Sequence, residues 1–314
     1  MIRLSWRKKA VIMRLCASFP GGSRVYQRIQ KSFGRLKLNP MYRITTQLEM
    51  AKWLLEKQGS IFEKNIFEVG TGHIPIVPIG FFLCGAKSVT TVDLHKRIEW
   101  KLTRNFLNWI ASHRDEIVNL YKGVVVDTFF NDRLELLCRY QNKPFEFFKE
   151  AKIDYLAPMD ASSTNLPQES IDYHFSITTL EHIPPKSIKP IFREAKRILK
   201  ADGLAIHFID LSDHFKHQDS NISGINFLQF NEFEWDKVAG NEFAYCNRLR
   251  ASDYMTLFTK LGFSVCRYET KMDKDAMKSL TNGFILDKSF SNYSLDDLCT
   301  NSLKILLTND NERE

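Results

Sequence analysis

The sequence predicts an α/β protein: a doubly wound, mostly parallel sheet of seven strands, preceded by a helical extension. Three observations predict it. Short apolar runs alternate with stretches of helical periodicity. Glycine and proline punctuate the joins between them. The unusual polar residues gather at the predicted carboxyl ends of strands, where open parallel sheets bind ligands. A chain of 314 residues that is 44% apolar and holds 24 Phe has material for a large core, which excludes a disordered chain. No apolar run reaches the roughly 18 residues of a membrane span. Six scattered cysteines (16, 84, 138, 246, 266 and 299) form no CxxC pair, which argues against a zinc ribbon or disulfide scaffold and for a reducing, cytosolic setting.

Residues 1–60 read as a basic helical extension. Eleven Lys/Arg precede the first acid, Glu49, whereas the rest of the chain carries 33 bases against 37 acids. The arm's bases include Arg3, Arg35 and Lys37, interleaved with Trp6, Ile12, Leu15, Phe19, Tyr26 and Phe33. Helices packed on the main domain are the first reading, peripheral contact with an anionic membrane the second, nucleic acid the third. Met1–Pro20 lacks a signal-peptide core. Asn39-Pro40 opens a helix with Pro at its first position, and the stripe Ile44, Leu48, Ala51, Leu55 runs to a stop at Gly59.

The main domain is assigned to residues 61–314. Asn65–Val69 is a strand that breaks at Gly70-Thr71-Gly72, Ile74–Leu83 a buried helix, and Ser88–Val92 a second strand ending in Asp93. Ile98, Leu102, Phe106, Trp109, His113, Ile117 and Leu120 predict one long amphipathic helix. With the less regular stretch after it, this forms an insertion, about 97–150, placed near the substrate mouth. Strands follow at Ala151–Leu156, Ile171–Ile177, Leu204–Ile209, Phe263–Tyr268 and Leu303–Leu307. One helix runs from Pro184-Pro185 to Gly203 and another over Ser252–Leu261.

Chemistry is expected first at Glu68-Val69-Gly70-Thr71-Gly72, where two glycines let the backbone turn sharply close to a ligand. Asp93, at the tip of the second strand, suits the two hydroxyls of a ribose. A dinucleotide dehydrogenase would share both features. Here, however, the third glycine position of G-x-G-x-x-G is Pro75, and Glu68 suits an ammonium better than a pyrophosphate. Asp160-Ala161 ends the third strand, and Thr178 begins the polar end of the fourth.

Taken together, these residues resemble the class I S-adenosylmethionine-dependent methyltransferases. Glu68-x-Gly70-x-Gly72 matches the first motif, Asp93 the ribose acid and Asp160-Ala161 the adenine side. Leu166-Pro167, Ser170-Ile171-Asp172, Leu180-Glu181-His182-Ile183 and Arg193–Gly203 resemble the signature of the small-molecule branch. The resemblance covers about residues 61–210 and implies a Rossmann-like fold. It also implies S-adenosyl-L-methionine as cofactor, held by Glu68, Gly70, Thr71, Gly72, Asp93, Asp160, Ala161 and Thr178. A narrower resemblance is to methyltransferases of bacterial surface-polysaccharide gene clusters. It is carried by Ile209-Asp210, Asp213-His214, Asn226-Phe227-Leu228, Trp235 and Asn247–Asp253. It implies O-methylation of a sugar or lipid-linked saccharide, and the basic arm would hold such a cytoplasmic enzyme near the inner membrane.

A hydroxyl acceptor benefits from a base. His214 is the first choice, oriented by Asp210 or Asp213, with His182 a separate candidate. A divalent metal is the competing reading of this His/Asp cluster, but spacing alone assigns no metal ligand. Trp235, Asn247, Arg248 and Arg250 are candidate acceptor-binding residues, an aromatic wall with an amide and two guanidinium groups. The alternative for the two arginines is pairing with surface acids. Two other functions stay open: an RNA methyltransferase, and a non-catalytic binding module on the same fold. Against the first, Thr178-Thr179-Leu180 stands where amino-directed base methyltransferases carry Asp/Asn-Pro-Pro-aromatic.

Overall fold

The computed structural model describes residues 5–32 and 39–309, so Arg3, Phe33, Arg35 and Lys37 of the basic arm lie outside the described residues. Helices α1 (Trp6–Ala17), α2 (Gly22–Ser32) and α3 (Met41–Gln58) lead into β1 (Asn65–Val69), α4 (Ile76–Leu83) and β2 (Ser88–Val92). Four helices follow: α5 (Trp100–Ser112), α6 (Arg114–Tyr121), α7 (Asp127–Arg139) and α8 (Pro144–Glu150). Then come β3 (Ile153–Leu156), β4 (Ile171–Ile177), α9 (Pro185–Ile198), β5 (Leu199–Asp210), α10 (Glu232–Ala239) and α11 (Ala251–Lys260). The chain closes with β6 (Ser264–Met272), α12 (Lys274–Thr281), α13 (Leu295–Cys299) and β7 (Thr300–Thr308).

The strands form one sheet in the order β3-β2-β1-β4-β5-β7-β6. Every pairing is parallel except those of β7, which runs against both β5 and β6. This is the Rossmann-like α/β arrangement the sequence predicts. Strand order reverses between β1 and β4, so a crevice opens over their carboxyl ends. α4 is buried at all eight positions, which is why it reads as an unbroken apolar run, and β4 is buried along its whole length although it carries Asp172, His174 and Ser176. One apolar core lies on the α3, α4 and α5 side of the sheet and a second on the α9 and α11 side.

Several expectations need correcting. The long helix breaks at His113 (φ −115°, ψ 34°), giving α5 and α6. The stretch after it is regular: α7 and α8 carry Phe130, Leu134, Leu137, Phe147 and Phe148 into the main core. The insertion begins beside the glycine turn, where the Glu99 N–H donates to the His73 carbonyl at 2.9 Å, and has left it by α7. Arg133 of α7 donates to the carbonyls of Phe82, Gly85 and Ala86, just before β2 begins and so at the opposite end of the sheet. Helix α9 ends at Ile198, and β5 starts at once at Leu199. The pairing then jumps from Ile171 with Leu199 to Tyr173 with Leu204, so Gly203 lies in a bulge inside the strand. Pro40 caps α3 from outside, and Gly59 ends that helix in the left-handed region (φ 78°).

The N-terminal 60 residues do not behave as one unit. Ile44, Leu48, Met50, Trp53 and Leu54 of α3 belong to the main core. Trp6, Ala10, Met13, Cys16 and Tyr26 of α1 and α2 pack instead on Phe215, Phe227, Trp235 and their neighbours in a third cluster. Trp6 N–H donates to Asp219 Oδ2 at 2.9 Å, fixing the start of α1 to the loop beyond β5. Among the described residues no helix is long and apolar enough to cross a membrane.

Candidate active site

The glycine turn forms one wall of the crevice. Gly70 and Gly72 both have left-handed φ, +90° and +72°. A Cβ on Gly70 would run into the Thr179 side chain, whereas one on Gly72 would meet only Arg43 Nη1, at 4.0 Å. The space before Gly72 is therefore open, and only glycine adopts that backbone without strain. The Gly72 N–H donates to Asp93 Oδ2 at 3.2 Å, and the Tyr155 hydroxyl donates to the same oxygen at 3.2 Å. Tyr155 in turn accepts the Arg97 N–H at 2.8 Å. Burial lifts the Asp93 carboxyl to about 6, while these two donors work against the rise.

Glu68 and Thr71 face inward. Glu68 is 1% exposed and accepts a hydrogen bond from the Thr91 hydroxyl on β2, which also meets the Thr71 hydroxyl. Burial lifts the Glu68 carboxyl to about 8. The direct pairing of Glu68 with an ammonium is thus corrected: the carboxyl braces the turn from behind. Asp160 is exposed on the rim, and its Oδ1 accepts the Ser162 N–H at 2.8 Å. The Met159 N–H donates to the Asp93 carbonyl at 2.9 Å, so the Asp160 rim and the Asp93 tip are held side by side. Ala161 packs into the second core.

Thr178, at the exit of β4, has φ +48° and donates its N–H to Phe208 O at 2.8 Å. Its hydroxyl accepts from Arg43 Nη2 at 3.3 Å. Arg43 was not singled out from the sequence, where it is one of eleven arm bases. Its position in α3, which docks over the sheet, carries a cation to the mouth of the glycine turn.

The far side of the crevice is built at the end of β5. Asp210 Oδ1 accepts the Ser212 N–H at 2.9 Å and the Ser212 hydroxyl at 2.6 Å. Its Oδ2 lies 3.5 Å from both His214 Nε2 and His217 Nε2. Burial works to raise the Asp210 carboxyl, but His214 and the Ser212 donors outweigh it and hold the group at about 2. His214 is raised in turn: burial opposes its charge, and Asp210 prevails. His182 packs edge-on against His214 with ring centroids 4.8 Å apart. Glu181, which the sequence reading passed over, sits behind both imidazoles at 1% exposure, and burial lifts its carboxyl to about 8.

Five sequence-predicted site residues are placed elsewhere. Asp213 is 1% exposed and turned away from His214, accepting from Asn226 Nδ2 at 2.9 Å and from the Phe215 N–H at 2.8 Å. Asn247 donates to the carbonyls of Leu180 and Ile183 at 2.8 and 2.9 Å. Arg248 donates to the carbonyls of Phe227 and Phe230 and pairs with Glu232, one of the surface acids expected as the alternative. Arg250 is fully buried and holds the carbonyls of Leu211, Asp297, Leu298 and Thr300. Trp235 is buried among Phe215, Phe227 and Phe230. In each case the side chain is engaged by backbone groups, neighbouring side chains or core packing.

Residues 136–207, from within α7 to within β5, match the family model described as methyltransferase domain. No curated protein matches the chain. Among solved structures, it is similar to a putative sarcosine dimethylglycine methyltransferase from Galdieria sulphuraria (13% identity, 84% of this chain and 85% of that one, TM-score 0.44). It is also similar to phosphoethanolamine N-methyltransferase 2 of Haemonchus contortus (16%, 83% and 52%, TM-score 0.43). A third is the geranyl diphosphate C-methyltransferase of Streptomyces coelicolor A3(2) (11%, 83% and 80%, TM-score 0.45). Over the matched segment the chain is similar to a methyltransferase domain, a class whose cofactor is S-adenosylmethionine. The open cradle at Gly72, flanked by the Asp93 carboxyl and the Arg43 guanidinium, fits that cofactor's ribose and charged amino-acid end.

Proposed function

We propose that this chain O-methylates a small polyhydroxylated acceptor, a sugar or a lipid-linked saccharide, with Asp210 and His214 taking the hydroxyl proton. The observation that carries the reading is a cavity of about 470 Å³ that ends on Asp210, Ser212 and His217. Thr45 and Thr46 of α3, Thr270 of β6, and Asn301 and Ser302 of β7 also line it, with Lys304 and Glu269 at its charged side. Hydroxyl, amide and charged groups around a cavity suit a ligand that offers many hydroxyls.

On this reading Gly70, Gly72, Asp93, Asp160 and Thr178 hold S-adenosylmethionine, with Glu68 and Thr71 supporting the turn from behind. When bound, that cofactor supplies a methyl group on positively charged sulfur, which needs alignment more than activation. Asp93 would accept hydrogen bonds from ribose hydroxyls, and Arg43 would face the carboxylate of the methionine end. Asp210 stays ionised at neutral pH and, with His214, receives the acceptor proton. Replacing Asp93 with Ala is expected to weaken S-adenosylhomocysteine binding about 10- to 100-fold, the worth of one or two hydrogen bonds to a charged group. Calorimetry checks this, and unchanged affinity in the folded variant would remove the ribose role.

The membrane reading draws on α1. Its outer face exposes Val11 and Leu15, and Phe19 follows just after it, beside the exposed Arg7, Lys8 and Arg14. Apolar side chains among cations suit the anionic surface of a cytoplasmic leaflet, where a lipid-linked acceptor would be met. The test is transfer of a labelled methyl group by the full chain to sugar nucleotides and to polyprenyl-linked saccharides. The expected product carries the label as an ether on a saccharide hydroxyl. Absence of saccharide-dependent S-adenosylhomocysteine, in a preparation that binds the cofactor, would overturn the reading.

A further inference from the structure

We propose that Glu181, His182 and His214 bind one divalent transition-metal ion at the acceptor end of the crevice. The ion's role rests on the functional reading above; the site itself rests on side chains alone. Neither carboxylate oxygen of Glu181 has a hydrogen-bond donor, although the residue is 1% exposed. A buried carboxylate without a partner is strongly disfavoured. The backbone that carries it is pinned. The Asn247 N–H donates to Glu181 O at 2.7 Å, and the Asn247 amide holds the carbonyls on both sides, at Leu180 and Ile183. A cation brought to this carboxyl would displace its proton and supply the missing partner.

Two imidazoles stand where such a partner would be shared. One ligand atom from each of Glu181, His182 and His214 lies within 4.8 Å of the others. His182 Nδ1 is 2.9 Å from the Tyr245 carbonyl, which can only accept, so Nδ1 carries the proton and Nε2 keeps its lone pair. An imidazole tied through one nitrogen to a backbone carbonyl is the usual arrangement of a metal-binding histidine. His214 Nε2 is buried with no hydrogen-bond partner, and Asp210 Oδ2 lies 3.5 Å from it. Two nitrogens and one carboxylate suit Mn²⁺, Fe²⁺ or Zn²⁺ better than the all-oxygen preference of Mg²⁺ or Ca²⁺. Glu181 and Asp210 together would balance the ion's charge.

Three protein ligands leave coordination positions open for an acceptor oxygen, whose hydroxyl becomes easier to deprotonate on the ion. The proton passes to the Asp210 carboxylate. The oxygen–methyl bond forms as the sulfur–methyl bond breaks, and sulfur keeps the electron pair. His214 then serves as a ligand, and Asp210 alone is the proton acceptor.

The test is calorimetric titration of the chelator-stripped full chain with MnCl₂ and with ZnCl₂, in parallel with S-adenosylhomocysteine. About one ion per chain is expected. Glu181→Gln and the surface variant His182→Ala should each weaken metal binding at least tenfold, with circular dichroism and S-adenosylhomocysteine affinity unchanged. Failure of the folded wild type to bind either ion stoichiometrically, or wild-type metal affinity in both variants, would overturn the site. If S-adenosylhomocysteine binds and metal does not, the metal inference alone falls. If metal binds in the expected way and S-adenosylhomocysteine does not, the metal site stands and the methyl-transfer role is lost.

Discussion

Replacing Arg250 with Leu is expected to unfold the protein, not to raise the KM for an acceptor. The guanidinium is 0% exposed and donates to Leu211 O at 2.8 Å, where the chain leaves β5. It donates again to Asp297 O, at 3.3 Å, and to the carbonyls of Leu298 and Thr300, where α13 turns into β7. One side chain thus ties the exit of β5 to the entrance of its antiparallel neighbour. Leucine would strand several buried carbonyls, each costing about 1–3 kcal/mol. A combined loss of about 4 kcal/mol or more is a large share of the roughly 5–15 kcal/mol that keeps a domain folded. Urea unfolding checks it. A variant with the wild-type midpoint and a weakened acceptor interaction would restore the ligand role that the sequence suggests.

Replacing Asp210 with Asn is expected to cut turnover at least about 100-fold, the usual scale for losing a positioned base, while leaving S-adenosylhomocysteine affinity intact. Asparagine keeps the size and can still accept from Ser212, so the loop after β5 should hold its shape. It cannot take up a proton. The wild-type carboxyl is held at about 2, against the pull of burial, by His214 and the Ser212 donors, so it is ionised throughout the neutral range. His214→Ala removes the group 3.5 Å from Asp210 Oδ2 and should also slow transfer. Single-turnover assays with saturating cofactor measure both. Full turnover in both variants would show that the proton leaves by another route.

Charged residues that look alike in the sequence play opposite parts in the fold. From sequence, Asp210 and Asp213 are charged groups just past a predicted strand end and Arg250 is one just before a predicted helix, and all three are offered to a ligand. In the fold, Asp210 faces a cavity, Asp213 turns back to Asn226 and the Phe215 N–H, and Arg250 disappears beneath β7. The same donors and acceptors serve a ligand or the backbone, and the choice depends on which face of the chain meets solvent. Arg43 and Glu181 were overlooked for a related reason. One was counted as arm charge and the other as part of a signature, and neither count says what stands beside them.

The sequence by itself determined the strand–turn–helix–strand framework: β1 and β2 occupy the predicted residues, because a five-residue run rich in β-branched and aromatic side chains and bounded by turn formers is a local signal. It also determined the glycine turn, since the left-handed φ at Gly70 and Gly72 is a local steric demand. Only the tertiary structure decided which polar groups remain available to a ligand. Docking of α3 over the sheet brings Arg43 to Thr178, and the pinned turn after β4 sets Glu181 beside His182 and His214. These contacts join residues more than thirty positions apart, or more than a hundred, and they are fixed by packing across the whole core, which no local pattern encodes.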